Sequence, residues 1–179
     1  MAHVLVLYGS TEGHTATIAE RIAGVLDSRG HDATLIHGQH GPDELRLSDY
    51  DAVIIGASIH MGKHQGYVTR FVREHAEELN RLPSAFFSVS LTAAEGTDES
   101  QATAKGLVDE FLAATGWRPD SIVVVPGALK YSQYGTFKRF VMRRIARRMG
   151  GGTDTSRDYE YTDWDEVETF ASQFARTLE

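Results

Sequence analysis

The chain contains no cysteine. Disulfides, iron–sulfur ligation, thiol redox chemistry and a cysteine nucleophile are excluded in one step. Any electrons this protein moves must therefore ride on a bound cofactor. No run approaches the roughly eighteen apolar residues that a membrane span requires. The opening Met1-Ala2-His3-Val4 has no basic region and leads straight into a strand-like run. A secretory signal is thus not expected, and the cytoplasm is the expected compartment. No internal repeat or low-complexity tract interrupts the 179 residues, which suit one domain with an elaboration. Hydrophobic residues make up 41%, enough for a packed interior and too many for a disordered chain.

Basic residues are concentrated in one place. Residues 127–152 carry Lys130, Lys138, Arg139, Arg143, Arg144, Arg147 and Arg148 with no acid. That stretch is +7 in a chain of net −7, so the remainder is −14. An acidic body with a single basic element argues against a nucleic-acid surface. It favours one docking patch for something anionic.

Apolar patterning sets the fold class. His3–Tyr8, Ala52–Gly56, Ala85–Val89 and Ser121–Val125 are short, nearly continuous apolar runs, as strands buried on both faces would be. A weaker alternation covers Asp32–Ile36. Helical spacing fills the intervals at residues 15–29, Tyr67–Leu79 and Ala102–Ala114, and Asp163–Glu166 opens a final helix. Strands alternating with helices imply an α/β, doubly wound parallel sheet of five strands. The order 2-1-3-4-5 places ligands beyond the strands' carboxyl ends, after Tyr8, Gly56 and Val89. Residues 127–162 are too long for the last strand-to-helix connection, and read as an insertion with a task of its own. Gly150-Gly-Gly-Thr-Asp-Thr155 inside it has a flexible composition. Since it follows the last strand, the core is expected to close without it.

Three loops meet at that edge. The first, Ser10-Thr11-Glu12-Gly13-His14-Thr15, offers three hydroxyls and a run of N–H groups at a helix start. It lacks the lysine that a polyphosphate loop needs, so one phosphate monoester such as that of FMN fits better. An ordinary N-capped helix would also use Ser and Thr, though seldom three in six residues. The second loop, Ala57-Ser58-Ile59-His60-Met61-Gly62, is small enough for its backbone to approach a flat ring. His60 and His64 stand at i, i+4, but no further ligand completes a metal set, and no metal is expected. The third, Ser88-Val89-Ser90-Leu91-Thr92, continues as a polar run through Gln101 and would line the ring's far side.

Tyr8–Thr15 closely resembles the phosphate loop of flavodoxins. The sequence further resembles the flavodoxin-related, menaquinone-dependent protoporphyrinogen IX dehydrogenases of haem biosynthesis. That likeness runs through Ile54–Ile59, Leu82–Val89, Trp117–Asp120, Pro126–Tyr131, Gly150–Thr155 and Tyr161–Trp164. It implies a flavodoxin-like fold and an FMN that takes electrons from a porphyrinogen substrate and passes them to a membrane quinone. It also implies that the insertion matters for activity, and it transfers no acid–base residue. His60-Met61 depart from the basic and aromatic pair common there, and Thr92–Gln101 are less basic.

On a helix, Arg139, Arg143 and Arg147 share a face, beside an apolar stripe of Phe137, Val141, Ile145 and Met149. With Lys138, Arg144 and Arg148 this is the pattern of an interfacial helix on an anionic membrane surface. Porphyrinogen propionates or a protein partner could use the same cations, and the helix could instead bury its stripe in its own domain. Two other functions stay open, an electron carrier without a substrate and an NAD(P)H quinone reductase. Self-association as a homo-oligomer is open too. A phospho-receiver is excluded, because no acidic pair follows the first strand and Gly56 stands where its aspartate would be.

Overall fold

The computed structural model describes residues 1–41, 44–148 and 150–179, with the backbone alone at Gln133 and Phe137. Strand β1 (His3–Gly9) shows how the sheet is held. Val4 and Val6 enter one apolar cluster while Leu5 and Leu7 enter another, because successive side chains leave opposite faces. All four are 1% exposed or less, which is why the run has no polar side. Helix α1 (His14–Ser28) leads to β2 (Asp32–His37), which lies parallel to β1. Strand β3 (Ala52–His60) pairs with the other edge of β1, and the two-residue β4 (Lys63–His64) hairpins back onto it. Helices α2 (Gly66–Glu74) and α3 (Ala76–Leu79) lead to β5 (Ser84–Ser90). Helix α4 (Asp98–Thr115) follows and leads to β6 (Ser121–Pro126). The parallel strands run in the order β2-β1-β3-β5-β6, the doubly wound order expected, with β4 as an addition.

Each face of the sheet has its own core. Ile18, Ile22 and Leu26 of α1 pack with Phe170 and Phe174 of the last helix, α6 (Trp164–Arg176), over Val4, Val6, Ile54 and Phe87. On the other face Val68, Val72, Val108, Phe111 and Trp117 cover Leu5, Leu7, Val53, Ile55 and Phe86. Gly56 makes room for the Phe87 ring of the first cluster. A Cβ there would lie 1.9 Å from the Phe87 ring.

Three expectations are corrected. The helix expected over Tyr67–Leu79 is broken at His75, whose backbone N–H and ring Nδ1 both bond the Phe71 carbonyl, at 3.1 and 2.9 Å. The polar run expected to continue as loop through Gln101 stops at Thr97, which caps α4 in a reciprocal pair with Ser100. The insertion is folded in its own right and packs against the loop after β5. Its strands β7 (Ala128–Leu129) and β8 (Tyr159–Glu160) pair antiparallel, and α5 (Thr136–Arg148) lies between them in sequence. Leu129, Tyr131, Tyr134 and Ala146 form a third cluster there, joined by Leu91 from the loop after β5. Two of the glycines with a flexible composition, Gly151 and Gly152, are packing positions. A Cβ on Gly152 would meet the Tyr159 ring at 2.3 Å, while its own N–H donates to the Tyr161 hydroxyl at 2.8 Å.

Candidate functional site

The register brings the three loops together. Gly9 pairs with Ala57, Ser58 with Val89 and Ser90 with Pro126, so the carboxyl ends of β1, β3, β5 and β6 are level. Beyond them lies a cavity of about 550 Å³. Ser10, Thr11, Glu12, His14 and Thr15 line it from the first loop, and Ser58, Ile59, His60, Met61 and Gly62 from the second. Val89, Ser90, Leu91 and Thr92 line it from the third. Three sequence-predicted residues stand behind the lining. Gly13 turns the chain with φ 87° and donates its N–H to Ser10 Oγ at 2.9 Å. Ala57 is core, and buried Ser88 bonds His64 Nε2 at 2.8 Å.

The first loop keeps a helix end available. Among the described residues no side chain caps α1, so its first-turn N–H groups and its positive end can serve an anion. Two residues beyond the expected set fix this loop to its neighbours. The Tyr67 hydroxyl accepts from Ser10 N–H at 3.1 Å. Gln65 Nε2 donates to Thr11 Oγ1 at 3.3 Å and to Ser58 Oγ, while its Oε1 accepts from Ser58 N–H at 3.0 Å. No spacing rule marks a glutamine for this task, so sequence reasoning had no signal for it. His14 turns its ring to Thr162, with Nε2 2.6 Å from Oγ1. Thr162 spends its proton on the Pro126 carbonyl at 2.8 Å, so His14 Nε2–H is the donor. Burial pulls the His14 pKa below its ordinary value, which favours the neutral ring.

His60 and His64 do not act together. His60 is exposed on the cavity rim, whereas His64 is buried between Phe86 and Phe111, with centroids at 5.5 and 4.9 Å. Between His60 and Lys63 the turn residues Met61 and Gly62 both have positive φ, 51° and 76°. Met61 adopts that conformation while 91% exposed, which presents a large apolar side chain on the rim.

The insertion supplies the remaining wall. Gly127, Ala128, Tyr134, Lys138, Val141, Met142 and Ile145 line the same cavity. The 3.6-residue spacing showed the Val141–Ile145 stripe, but nothing in the sequence said that it would face a cavity. Met149 and the Phe137 side chain, assigned to that stripe, lie outside the described residues. Glu12 reaches across to this wall. It accepts from the Tyr134 hydroxyl at 2.9 Å and from Lys138 Nζ at 3.0 Å, and the ammonium lies 4.6 Å from the Tyr134 ring centroid. Burial first, and then the Glu12 carboxylate, hold the Tyr134 phenol well above its usual pKa, so it keeps its proton and acts as a hydrogen-bond donor at physiological pH.

The expected cationic face divides. Lys138 turns inward to Glu12, and Arg139 donates to the Tyr134 carbonyl at 3.3 Å. Arg143, Arg144, Arg147 and Arg148 surround Phe140 in a separate hollow of about 320 Å³. None of these five residues lines the larger cavity.

Comparison with known proteins agrees with this geometry. The flavodoxin domain model matches residues 5–156. The chain is 37% identical over 171 residues to the protoporphyrinogen IX dehydrogenase (quinone) of Escherichia coli, covering 96% of this chain and 93% of that one. It is 39% identical over 172 residues to the Leishmania major protein of the same name, across 96% of this chain and 74% of the other. A flavodoxin structure from Bacillus cereus superposes with TM-score 0.58 at 17% identity, over 99% of both chains, a likeness of fold. The chain belongs to the flavodoxin domain family, and these two relatives are quinone-linked protoporphyrinogen IX dehydrogenases.

Proposed function

We propose that the whole chain is one FMN-binding domain that oxidises protoporphyrinogen IX and delivers the electrons to a membrane quinone. The observation that carries this reading is the make-up of the cavity. One end has an uncapped helix start with the hydroxyls of Ser10, Thr11 and Thr15, suited to one phosphate. The other end is apolar, with Ile59, Met61, Leu91, Val141, Met142 and Ile145, suited to flat rings. FMN, once bound, supplies reversible hydride or electron chemistry at its ring. This chain's residues would hold the phosphate at residues 10–15, and present backbone at 58–62 and 89–92 to the ring. The inner face of α5 keeps water from the substrate side. No side chain is assigned a proton-transfer role.

The outer face of α5 gives the reading its location. Phe140 is 58% exposed and ringed by four arginines. A bilayer with anionic headgroups would take both, at ~1 kcal/mol per cation near its surface. No helix among the described residues is long and apolar enough to cross a membrane. The contact is then peripheral, on the inner face of the cell membrane. An electron carrier without a substrate would have little use for a cavity walled by an insertion. No sequence motif marks a nicotinamide-nucleotide site, which disfavours an NAD(P)H quinone reductase. The test is protoporphyrin fluorescence under anaerobic conditions with the FMN-loaded protein. With catalytic amounts of protein, fluorescence should rise beyond the flavin's own electron capacity only when protoporphyrinogen and a menaquinone analogue are both present. A chain that reduces quinone from NAD(P)H and leaves the porphyrinogen untouched would refute the assignment.

A further inference from the structure

The phosphate loop has an electrostatic defect that the insertion corrects. Tyr8–Thr15 contain no lysine or arginine and one acid, Glu12. A phosphate monoester brings about −1.5 to −2 charges at neutral pH. An uncompensated carboxylate in the same loop would repel it across a partly desolvated cavity, where charges interact more strongly than in water. Among the described residues that line the cavity, Lys138 is the only lysine or arginine. Its Nζ lies 3.0 Å from Glu12 Oε1, and Tyr134 holds Oε2 at 2.9 Å. The Glu12 side chain is 20% exposed, so solvent screens this pair only partly.

From this we infer that Lys138 is a cofactor-affinity residue of the insertion, neutralising Glu12 so that the phosphate loop can accept a dianion. The inference rests on the FMN reading above and deepens it. Tyr134 acts with Lys138 by fixing the second carboxylate oxygen, which keeps Glu12 on the α5 side of the loop. The insertion thereby takes part in flavin binding as well as in the substrate wall. Cofactor occupancy and the position of α5 are linked through one carboxylate.

A charge effect on the phosphate is separable from a packing effect on the ring. Apoprotein is titrated with FMN and, separately, with riboflavin, which has the ring and no phosphate, following flavin fluorescence. Lys138→Met should weaken FMN about tenfold or more and leave riboflavin unchanged. Lys138→Arg should keep the parental affinity, which also shows that position 138 tolerates replacement. Glu12→Gln alone should bind FMN at least as tightly as the parent. The double variant Glu12→Gln, Lys138→Met should return close to the parent, since both charges are then gone. Equal losses for FMN and riboflavin in Lys138→Met would overturn the inference, as would a double variant no better than that single one. A parent that binds neither flavin would overturn the FMN reading and this inference together. A parent that binds FMN while Lys138→Met matches it would overturn this inference alone.

Discussion

Buried histidines make the protein's stability depend on pH in a stated direction. His64 is 8% exposed, packed by Phe86 and Phe111, and burial lowers its pKa from 6.5 to about 4. The unfolded chain therefore binds a proton between about pH 6.5 and 4 that the folded chain refuses. The stability from neutral His64 is complete above that window and is lost as pH falls through it, by about 3 kcal/mol at most. His14 is shifted the same way and adds to the slope. Urea unfolding across this range should show stability falling with acid, and His64→Gln should remove the larger part of the dependence. An unchanged slope in that variant would place the titrating group elsewhere. At this scale the sequence was partly legible. Ser10, Thr11 and Thr15 could be read because hydroxyls before a helix have a known use. Gln65, Tyr67 and Tyr134 could not, because each acts through a partner that only the fold brings near.

Helix α5 has three faces with three tasks. Ala146 and part of Met142 pack on Leu129, Tyr131 and Tyr134, Val141 and Ile145 face the cavity, and Phe140 with four arginines faces outward. Amphipathic spacing shows that such a helix has sides, but not what each side meets. That is why the stripe was assigned to the bilayer and Lys138 and Arg139 to the docking face, whereas the structure turns both cations inward. Gly151 and Gly152 show the same limit of composition. Composition cannot separate a glycine that flexes from one that lets a tyrosine ring come close. The membrane prediction follows the observed faces. Changing Arg143, Arg144 and Arg147 to Glu spares Arg139, which braces the Tyr134 loop. The variant should keep the parental flavin spectrum and cease to co-sediment with anionic vesicles. The parent's binding should weaken with salt and be absent on neutral lipid. If the triple variant sediments like the parent, the arginines serve something other than a lipid surface.

For the whole molecule, the central sheet was the most legible part. Four nearly continuous apolar runs can only be buried between two helical layers, and right-handed crossovers leave few strand orders. The order found, with the loops after β1, β3 and β5 around one cavity, follows from that. What stayed hidden was the return of the insertion over this cavity, a contact between residues 12 and 138 that no local pattern encodes. The consequence is one chamber with a hydroxyl-lined helix start, apolar lining and a helical wall whose far side carries the arginines. Such a chamber suits an enzyme that exchanges electrons between a porphyrinogen and a lipid-dissolved quinone. The most direct test is anaerobic mixing of the FMN-loaded protein with protoporphyrinogen, followed by a menaquinone analogue, observing flavin absorbance. The yellow absorbance should bleach on the first addition and recover on the second, with protoporphyrin as the product. Flavin that stays oxidised in the presence of protoporphyrinogen would contradict the account.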